Sequence, residues 1–265
     1  MFMFGGIAFA DEGAGQSGPS VAIGYDGVHL NYKEYVSGRV VDQDTGWQNG
    51  GFIEARYDND NLFLRGNFDA VGSNSAQYKG ALQNGTPLSM ATSERIYTTE
   101  FDAGYKALNL STATLSPYLG IGYRNWERGG NTLPDYKEQY NWGFGAAGGN
   151  IAYKIHKLTL GLDAALLIPF SQKMNTNVGG TVDSATFRIK SELGCEASLP
   201  ISYQVYSNKS MKMFVFGTPY YEMWRIGRSP TITLTQSGIP VTEAFEPKSH
   251  TDMYGVRGGV RFNFF

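Results

Sequence analysis

The feature that most constrains the fold is a period of two in the side chains. From Ser20 onward, segments of about ten residues alternate apolar and polar positions, and apolar spacings of three and four are almost absent. Between Trp47 and Tyr57, the odd positions include Trp47, Ile53, Ala55 and Tyr57, whereas Glu54 and Arg56 take even ones. Because successive side chains of a strand point to opposite faces, this pattern predicts β-strands with one apolar and one charged face.

The positions of the aromatic residues distinguish a membrane barrel from a soluble sandwich. Trp47 and Tyr57 lie at the two ends of one apolar face. At ~3.3 Å per residue and a tilt near 40°, this face spans roughly 25 Å, the height of the apolar band of an outer-membrane barrel. The spacing therefore predicts a transmembrane β-barrel. Tyr97 and Tyr105 bracket another strand in the same way, and we place Tyr140 and Trp142 near the outer aromatic ring on a further strand.

The connections between the predicted strands alternate in length. Short turns are predicted at 58–61, 107–113, 154–157 and 207–210, and long polar loops at 37–46, 82–94, 129–138, 174–184 and 229–248. In such barrels short turns face the periplasm and long loops face the outside. Five loops and four turns connect ten strands, so we predict an all-β, antiparallel, up-and-down barrel of about ten strands, with eight or twelve as alternatives.

The first residues have the composition of an export signal. Residues 1–10 are apolar and uncharged and end in Ala8-Phe9-Ala10, a small-x-small pattern typical of signal-peptidase sites. Residues 11–19 have the composition of a flexible linker. We therefore expect a signal-peptide remnant at 1–10, a linker at 11–19 and the barrel at 20–265.

The C-terminus carries the most specific motif. Val260, Phe262 and Phe264 alternate with polar residues, and the chain ends on the aromatic Phe265. This segment resembles the C-terminal β-signal of bacterial outer-membrane proteins, and with the strand pattern the chain resembles the small β-barrel proteins of the Gram-negative outer membrane. The resemblance implies an outer-membrane location and, as partners, outer-membrane lipid, lipopolysaccharide and the barrel-assembly machinery, with the protein as a monomer.

Charge and cysteine content exclude several other classes. The 22 basic and 24 acidic side chains give a net charge of −2, which provides no basic face for nucleic acid. Cys195 is the single cysteine, so an intramolecular disulfide and multi-cysteine zinc sites are excluded. With only three histidines, we expect no metal centre and no cofactor.

The polar faces of the strands predict a charged lumen. Eight acidic and eight basic residues occupy inward positions, and equal numbers in a narrow tube favour ion pairs that cross the lumen over an ion-selective pore. Asp26, Lys106 and Glu196 belong to this set. The remaining members form the predicted lumen charge network: Glu54, Arg56, Arg65, Asp69, Glu100, Asp102, Arg124, Asp163, Arg188, Lys190, Glu192, Arg257 and Arg261.

Glycines are concentrated in two neighbouring predicted strands. Gly120, Gly122, Gly143 and Gly145 point inward in the predicted register. Without side chains they leave room for a groove along the lumen wall. The alternative is that they relieve strain where a small barrel bends, or where an aromatic side chain folds over them.

Two comparisons bear on catalysis. Omptin proteases, which also have ten strands, use an Asp-His pair and an Asp pair at the outer rim, and this chain offers His250 and Asp252 there. The order differs from the omptin motif, and the Asp-x-Asp formed by Asp58 and Asp60 lies in a periplasmic turn. Outer-membrane lipid hydrolases use Ser with His, but adjacent Ser249 and His250 would face opposite sides of a strand. We therefore assign no catalytic residues.

The expected function is passive, either a small-solute pore or a structural protein of the cell surface. An adhesin or ligand-binding barrel acting through its long extracellular loops, such as 229–248, is the first alternative. A rim hydrolase, either an omptin-like protease or a lipid hydrolase, is the second.

Overall fold

The computed structural model describes residues 17–81, 86–129, 136–178 and 182–265. The predicted signal remnant at 1–10 and most of the predicted linker lie outside these residues. The strands are β1 (Gly18–Val36), β2 (Arg39–Asp58), β3 (Leu62–Ala81), β4 (Pro87–Tyr105), β5 (Leu108–Asn109), β6 (Ala113–Gly129), β7 (Tyr136–Ile155), β8 (Leu158–Val178), β9 (Ala185–Arg188), β10 (Lys190–Ser191), β11 (Gly194–Ser198), β12 (Ile201–Ser207), β13 (Met211–Gly227), β14 (Ile232–Gln236), β15 (Ile239–Ala244) and β16 (Lys248–Phe264).

These strands form a closed, antiparallel barrel of ten strands, which confirms the predicted fold class. Segments β9 to β12 together make the eighth strand, between β8 and β13. The last strand, β16, pairs with both β13 and β1 and closes the barrel. Closure satisfies the backbone hydrogen bonds of every barrel strand, which a membrane requires.

The outer wall carries a belt of exposed apolar side chains. In β2 the predicted odd positions face outward, and Trp47 and Tyr57 are 60% and 52% exposed at the two ends of the belt. The outer aromatic ring continues around the barrel through residues of neighbouring strands: His29, Tyr97, Tyr123, Phe170, Tyr221 and Tyr254. The described part of the chain contains no helix with the length and hydropathy of a membrane span.

The barrel extends well beyond this belt on its extracellular side. The uninterrupted barrel strands have 17 to 21 residues, whereas about ten cross the membrane. The predicted loop at 37–46 is therefore mostly strand, and only Ser37 and Gly38 connect β1 to β2. Both have positive φ, 51° and 78°, as a type I′ hairpin turn requires. Strand β1 begins at Gly18, two residues before Ser20.

The loop between β13 and β16 contains a second hairpin, formed by β14 and β15. Its turn also has two positive φ angles, at Ser237 and Gly238. Ile232, Leu234 and Ala244 pack against the buried core inside the barrel. The hairpin therefore folds over the extracellular mouth of the barrel.

The eighth strand corrects part of the predicted register. Arg188 and Lys190 are exposed on the outer wall, whereas Phe187 and Ile189 are buried inside. The strand is interrupted at Ile189 and again before β11, and these breaks shift the alternation by one residue. Arg188, Lys190 and Glu192, which pairs with Lys248 at 3.0 Å on the outer wall, are therefore not part of the lumen network.

Candidate functional site: the barrel interior and its extracellular end

The other ten members of the predicted lumen network are buried inside the barrel. Arg65 Nε lies 2.8 Å from Asp102 Oδ2, and Arg261 Nη2 lies 3.3 Å from Glu54 Oε1. Near the periplasmic end, Arg56 Nε lies 2.6 Å from Asp58 Oδ2. Ion pairs are thus present in the lower half of the lumen, but these three join residues of the same or nearby strands and do not cross the lumen.

At mid-height, contacts within one wall are joined by one that crosses the lumen. Arg124 of β6 donates to Glu222 Oε1 of β13 at 2.6 Å. Arg257 Nε lies 2.7 Å from Asp26 and 3.6 Å from Asp69. Because β6 and β13 lie four strands apart around the barrel, the Arg124 side chain spans the lumen.

A layer of aromatic side chains lies on the extracellular side of these ion pairs. The ring centroids of Trp142 and Phe144 each lie 5.2 Å from that of Trp224, and the Tyr32 and Trp126 rings are 4.9 Å apart. All five side chains are almost fully buried. They come from strands on different sides of the barrel, so the layer extends across the lumen.

The aromatic layer also corrects the predicted register of β7. Tyr140 and Trp142, which the sequence interpretation placed in the outer ring, face the interior. Gly143 and Gly145 therefore face outward, and the outward-facing Phe170 of β8 covers Gly143. The interpretation was wrong here because it took aromatic residues as lipid-facing, whereas in β7 they fill the lumen.

The two glycines of β6 do face the lumen, but they leave no groove. A Cβ at Gly120 would lie 2.0 Å from Asp102 Oδ1, and one at Gly122 would lie 2.3 Å from the Phe144 ring. The space that these glycines provide is thus occupied by side chains of the network and of the aromatic layer. The structure favours the alternative in which an aromatic side chain folds over glycine.

Beyond the aromatic layer, one arginine is surrounded by six carboxyl groups. Arg128 lies 3.0 Å from Glu34, 3.2 Å from Glu138, 2.5 Å from Asp44 and 3.5 Å from Asp42. We call this set, completed by two carboxyl groups bound to aromatic side chains, the Arg128 cluster: Arg128, Glu34, Asp42, Asp44, Glu94, Glu138 and Glu246.

Aromatic donors hold the last two carboxyl groups of the cluster. Trp126 Nε1 donates to Glu94 Oε2 at 2.5 Å, and the Tyr140 hydroxyl donates to Glu246 Oε1 at 2.6 Å. Glu246 follows the β14–β15 hairpin, whose base is fixed by two hydrogen bonds between Ser229 and Glu246. The cluster thereby connects the hairpin to the barrel wall.

One guanidinium cannot neutralise six carboxylates, and the cluster is buried. Burial, together with the neighbouring carboxyl groups, raises the pKa of Glu94 and Glu246 well above its usual range. Burial also raises the pKa of Asp42 to about 8 and that of Glu34 and Asp44, against the opposing effect of Arg128. At neutral pH part of the cluster therefore holds protons.

Sequence reasoning missed this cluster, although a signal was present. Asp42 and Asp44 continue the even, inward positions of β2, and Arg128 continues those of Arg124 and Trp126 in β6. Asp42, Asp44 and Glu138 had been assigned to loops. Asp42 and Asp44 also form a second Asp-x-Asp, at the extracellular end, which the sequence interpretation overlooked.

The candidate catalytic residues lie apart from this cluster. His250 and Asp252 face the outer wall, where Asp252 pairs with Arg225 at 3.0 Å. Ser249 is buried and faces the interior, so Ser249 and His250 point to opposite faces as predicted. Burial, Arg225 and Lys248 lower the pKa of His250. Within the described ranges, no group of three or more His, Cys, Asp or Glu side chains is arranged to hold a metal ion.

Comparison with known proteins agrees with the fold. The outer-membrane protease OmpT from Escherichia coli matches with a TM-score of 0.59 and 13% identity, over 93% of this chain and 96% of that chain. The chain has the fold of an outer-membrane β-barrel protein. With its exposed apolar belt, this fold places the protein in the outer membrane of a Gram-negative bacterium.

Other solved barrels match at lower scores. OprG from Pseudomonas aeruginosa has a TM-score of 0.42 at 10% identity, over 96% of this chain and 98% of that chain. The translocator domain of the autotransporter NalP from Neisseria meningitidis also has a TM-score of 0.42 at 10% identity, over 92% and 88%. No family model matches the sequence, and no curated protein matches it.

The predicted assembly signal lies at the periplasmic end of this outer-membrane barrel. Val260, Phe262 and Phe264 share the outward face of β16, and Phe265 follows the strand with an exposed ring. Its backbone N–H donates to the Ser210 carbonyl at 3.1 Å. That the assembly machinery recognises these residues stays a prediction.

Proposed function

We propose that this protein is a closed outer-membrane barrel with a structural role at the cell surface rather than a diffusion pore. The observation that carries the proposal is the filled interior. Tyr32 of β1 and Tyr140 of β7 approach to 3.3 Å between their hydroxyl oxygens, although the two strands lie on opposite sides of the barrel. The aromatic layer and the ion pairs beneath it place buried side chains across a lumen that ten strands make narrow.

A conductance measurement tests this proposal. We expect the purified protein in planar lipid bilayers to show no steady conductance, because the occluding side chains belong to the barrel strands. A variant with residues 232–244 replaced by a short Gly-Ser linker keeps Ser229 and Glu246 and removes only the hairpin. We expect this variant to stay closed too.

Two results would contradict the proposal. A steady conductance of many hundreds of picosiemens in the unmodified protein would identify a pore. A comparable conductance in the hairpin variant alone would show that the hairpin, rather than the barrel interior, closes the lumen. Catalysis is not included in the proposal, because His250 lies on the outer wall and is separated by that wall from the Arg128 cluster.

Exposed apolar residues on the extracellular side favour one second candidate, adhesion. Ile239 and Val241 of β15 are 67% and 48% exposed, and Val40 and Val41 beside the first turn are exposed as well. Apolar side chains that the fold does not need to expose often mark interaction sites. In this alternative the hairpin provides a surface for a host protein or a neighbouring cell.

The adhesion hypothesis predicts a specific loss on substitution. Bacteria that display the protein should adhere to epithelial cells or matrix-coated wells, and Ile239→Ser with Val241→Ser should reduce that adherence severalfold. This pair leaves the inward contacts of Ile232, Leu234 and Glu246 intact. As a control, Lys79→Ser changes an exposed residue of β3 and should have no effect. Equal adherence of all variants, or none above that of cells without the protein, would exclude this role.

A further inference from the structure

The outer wall above the aromatic ring carries basic residues on adjacent strands. Arg225 of β13 and Lys33 of β1 are the two direct neighbours of His250 of β16 in the sheet. In the next outward positions, Lys248 pairs with Tyr35. Arg228 is exposed at the end of β13. The net charge of −2 therefore conceals a separation between an acidic extracellular interior and a basic outer wall.

These basic residues are only partly neutralised. Asp252 pairs with Arg225 at 3.0 Å, and Glu192 pairs with Lys248 at 3.0 Å. Within the part of the chain that the structure describes, no carboxylate lies within ion-pair distance of Lys33 or Arg228. Lys33 and Arg228 therefore remain available on the outer wall to bind an anionic ligand.

A groove opens beside these side chains. It has a volume of about 580 Å³ and is lined by Tyr35, Arg228, Phe245, Lys248 and His250, together with the β1–β2 turn. The Arg228 guanidinium lies 3.9 Å from the centroid of the Phe245 ring. Phe245 thus holds the guanidinium at the groove.

The height of the groove indicates the kind of ligand. His29 and Tyr254, which pair in the sheet and stack at 4.9 Å, belong to the outer aromatic ring. Lys33 and Lys248 lie four and six residues beyond them along their strands. At ~3.3 Å per residue and a tilt near 40°, the basic residues stand roughly 10–15 Å above the ring. Below the ring the apolar belt continues through Val256.

We propose that this basic groove binds the phosphorylated headgroup of a glycolipid of the outer leaflet, that is, lipopolysaccharide. An amphipathic ligand would place its acyl chains on the belt below and its phosphates against the lysines and the arginine above. Arg228 can bind a phosphate through two hydrogen bonds. The apolar belt below the groove favours an amphipathic lipid over a soluble polyanion, which would make no contact with the belt.

Binding of purified lipid A to the folded protein in detergent micelles tests this inference. We expect native mass spectrometry to detect complexes with bisphosphorylated lipid A. The triple variant Lys33→Gln, Arg228→Gln and Lys248→Gln should bind at least about tenfold more weakly. The matched control, Lys79→Gln with Arg95→Gln and Lys137→Gln, removes three outward basic residues from β3, β4 and β7 and should bind within about twofold of the unmodified protein.

Two further measurements define the ligand and the state of the variants. Lipid A without phosphates should bind weakly. The two triple variants should then bind this lipid with the same affinity. Inorganic phosphate in large excess should compete poorly, because it makes no contact with the belt. All variants should unfold at the same urea concentration as the unmodified protein, since the substituted side chains lie on the surface.

Several results would overturn the proposal. One is equal binding by the basic-groove variant and the unmodified protein. Another is an equal loss of lipid A binding in the control variant, which would show that binding depends on the net charge of the protein and not on the groove. Complete competition by inorganic phosphate would identify a site for free phosphate instead. Undiminished binding of dephosphorylated lipid A would show that the acyl chains alone carry the affinity.

Discussion

Replacing Arg128 by Met should destabilise the extracellular half of the barrel by about 3–5 kcal/mol, the cost of breaking a buried ion pair by removing one partner. Arg128 is 4% exposed and contacts four of the six carboxyl groups of its cluster. Its guanidinium also lies 4.4 Å from the centroid of the Tyr32 ring. Methionine fills most of the volume but leaves the carboxyl groups without a cation.

Urea unfolding in detergent micelles at pH 7 measures this effect, with the fluorescence of Trp126 and the other tryptophans as the signal. Lys137→Met is the matched control, since Lys137 pairs with Glu127 at 2.9 Å while 56% of its side chain is exposed. Exposed pairs contribute about 0–1 kcal/mol. If the Arg128→Met variant is as stable as the control, the carboxyl groups of the cluster are neutral through protonation and do not need the arginine.

The strand pattern was predictable within the apolar belt because lipid constrains it. There one face of every strand must be apolar, so the alternation in β2 gives the correct orientation of Trp47, Glu54 and Tyr57. Above the belt both faces of a strand lie outside lipid, and either face can be polar. The extracellular ends of β1 and β2, with Glu34 and Asp44, therefore resemble polar loops in sequence.

The interior of the barrel was predictable only where it is charged. Arg65 and Asp102 could be assigned to the lumen because a charge is costly in lipid. Trp142 and Phe144 could not, because an aromatic residue suits both the lipid face and a filled lumen. The orientation of β7 depends on Trp224, which lies 82 residues away in sequence and completes the aromatic layer from another wall. That contact exists only in the closed barrel.

A second large effect is expected from pH, because the Arg128 cluster keeps protons in the folded state. The unfolded chain releases the protons of its carboxyl groups near pH 4. In the folded protein burial raises the pKa of Asp42 to about 8 and that of Glu246 well above its usual range. Between these pH values the folded state binds more protons than the unfolded state, so the free energy of unfolding falls as pH rises.

The expected size follows from the number of protons retained. Each carboxyl group that is protonated in the folded state and ionised in the unfolded state contributes a loss of about 1.4 kcal/mol per pH unit. This contribution is fully present below the unfolded pKa and is lost as pH rises through the folded pKa. Unfolding midpoints in urea, measured from pH 5 to pH 8, should therefore fall steadily, and lower pH should partly restore the stability of Arg128→Met.

The variant Glu246→Gln isolates the cluster from other titrating groups. Glutamine keeps the size of the side chain and an acceptor for the Tyr140 hydroxyl, which donates to Glu246 at 2.6 Å, but it binds no proton. The slope of stability against pH should then be shallower by about one proton, or about 1.4 kcal/mol per pH unit. An unchanged slope in Glu246→Gln would mean that Glu246 is ionised in the folded barrel, with its charge balanced by Arg128. The cluster would then be a network of ion pairs rather than a reservoir of buried protons.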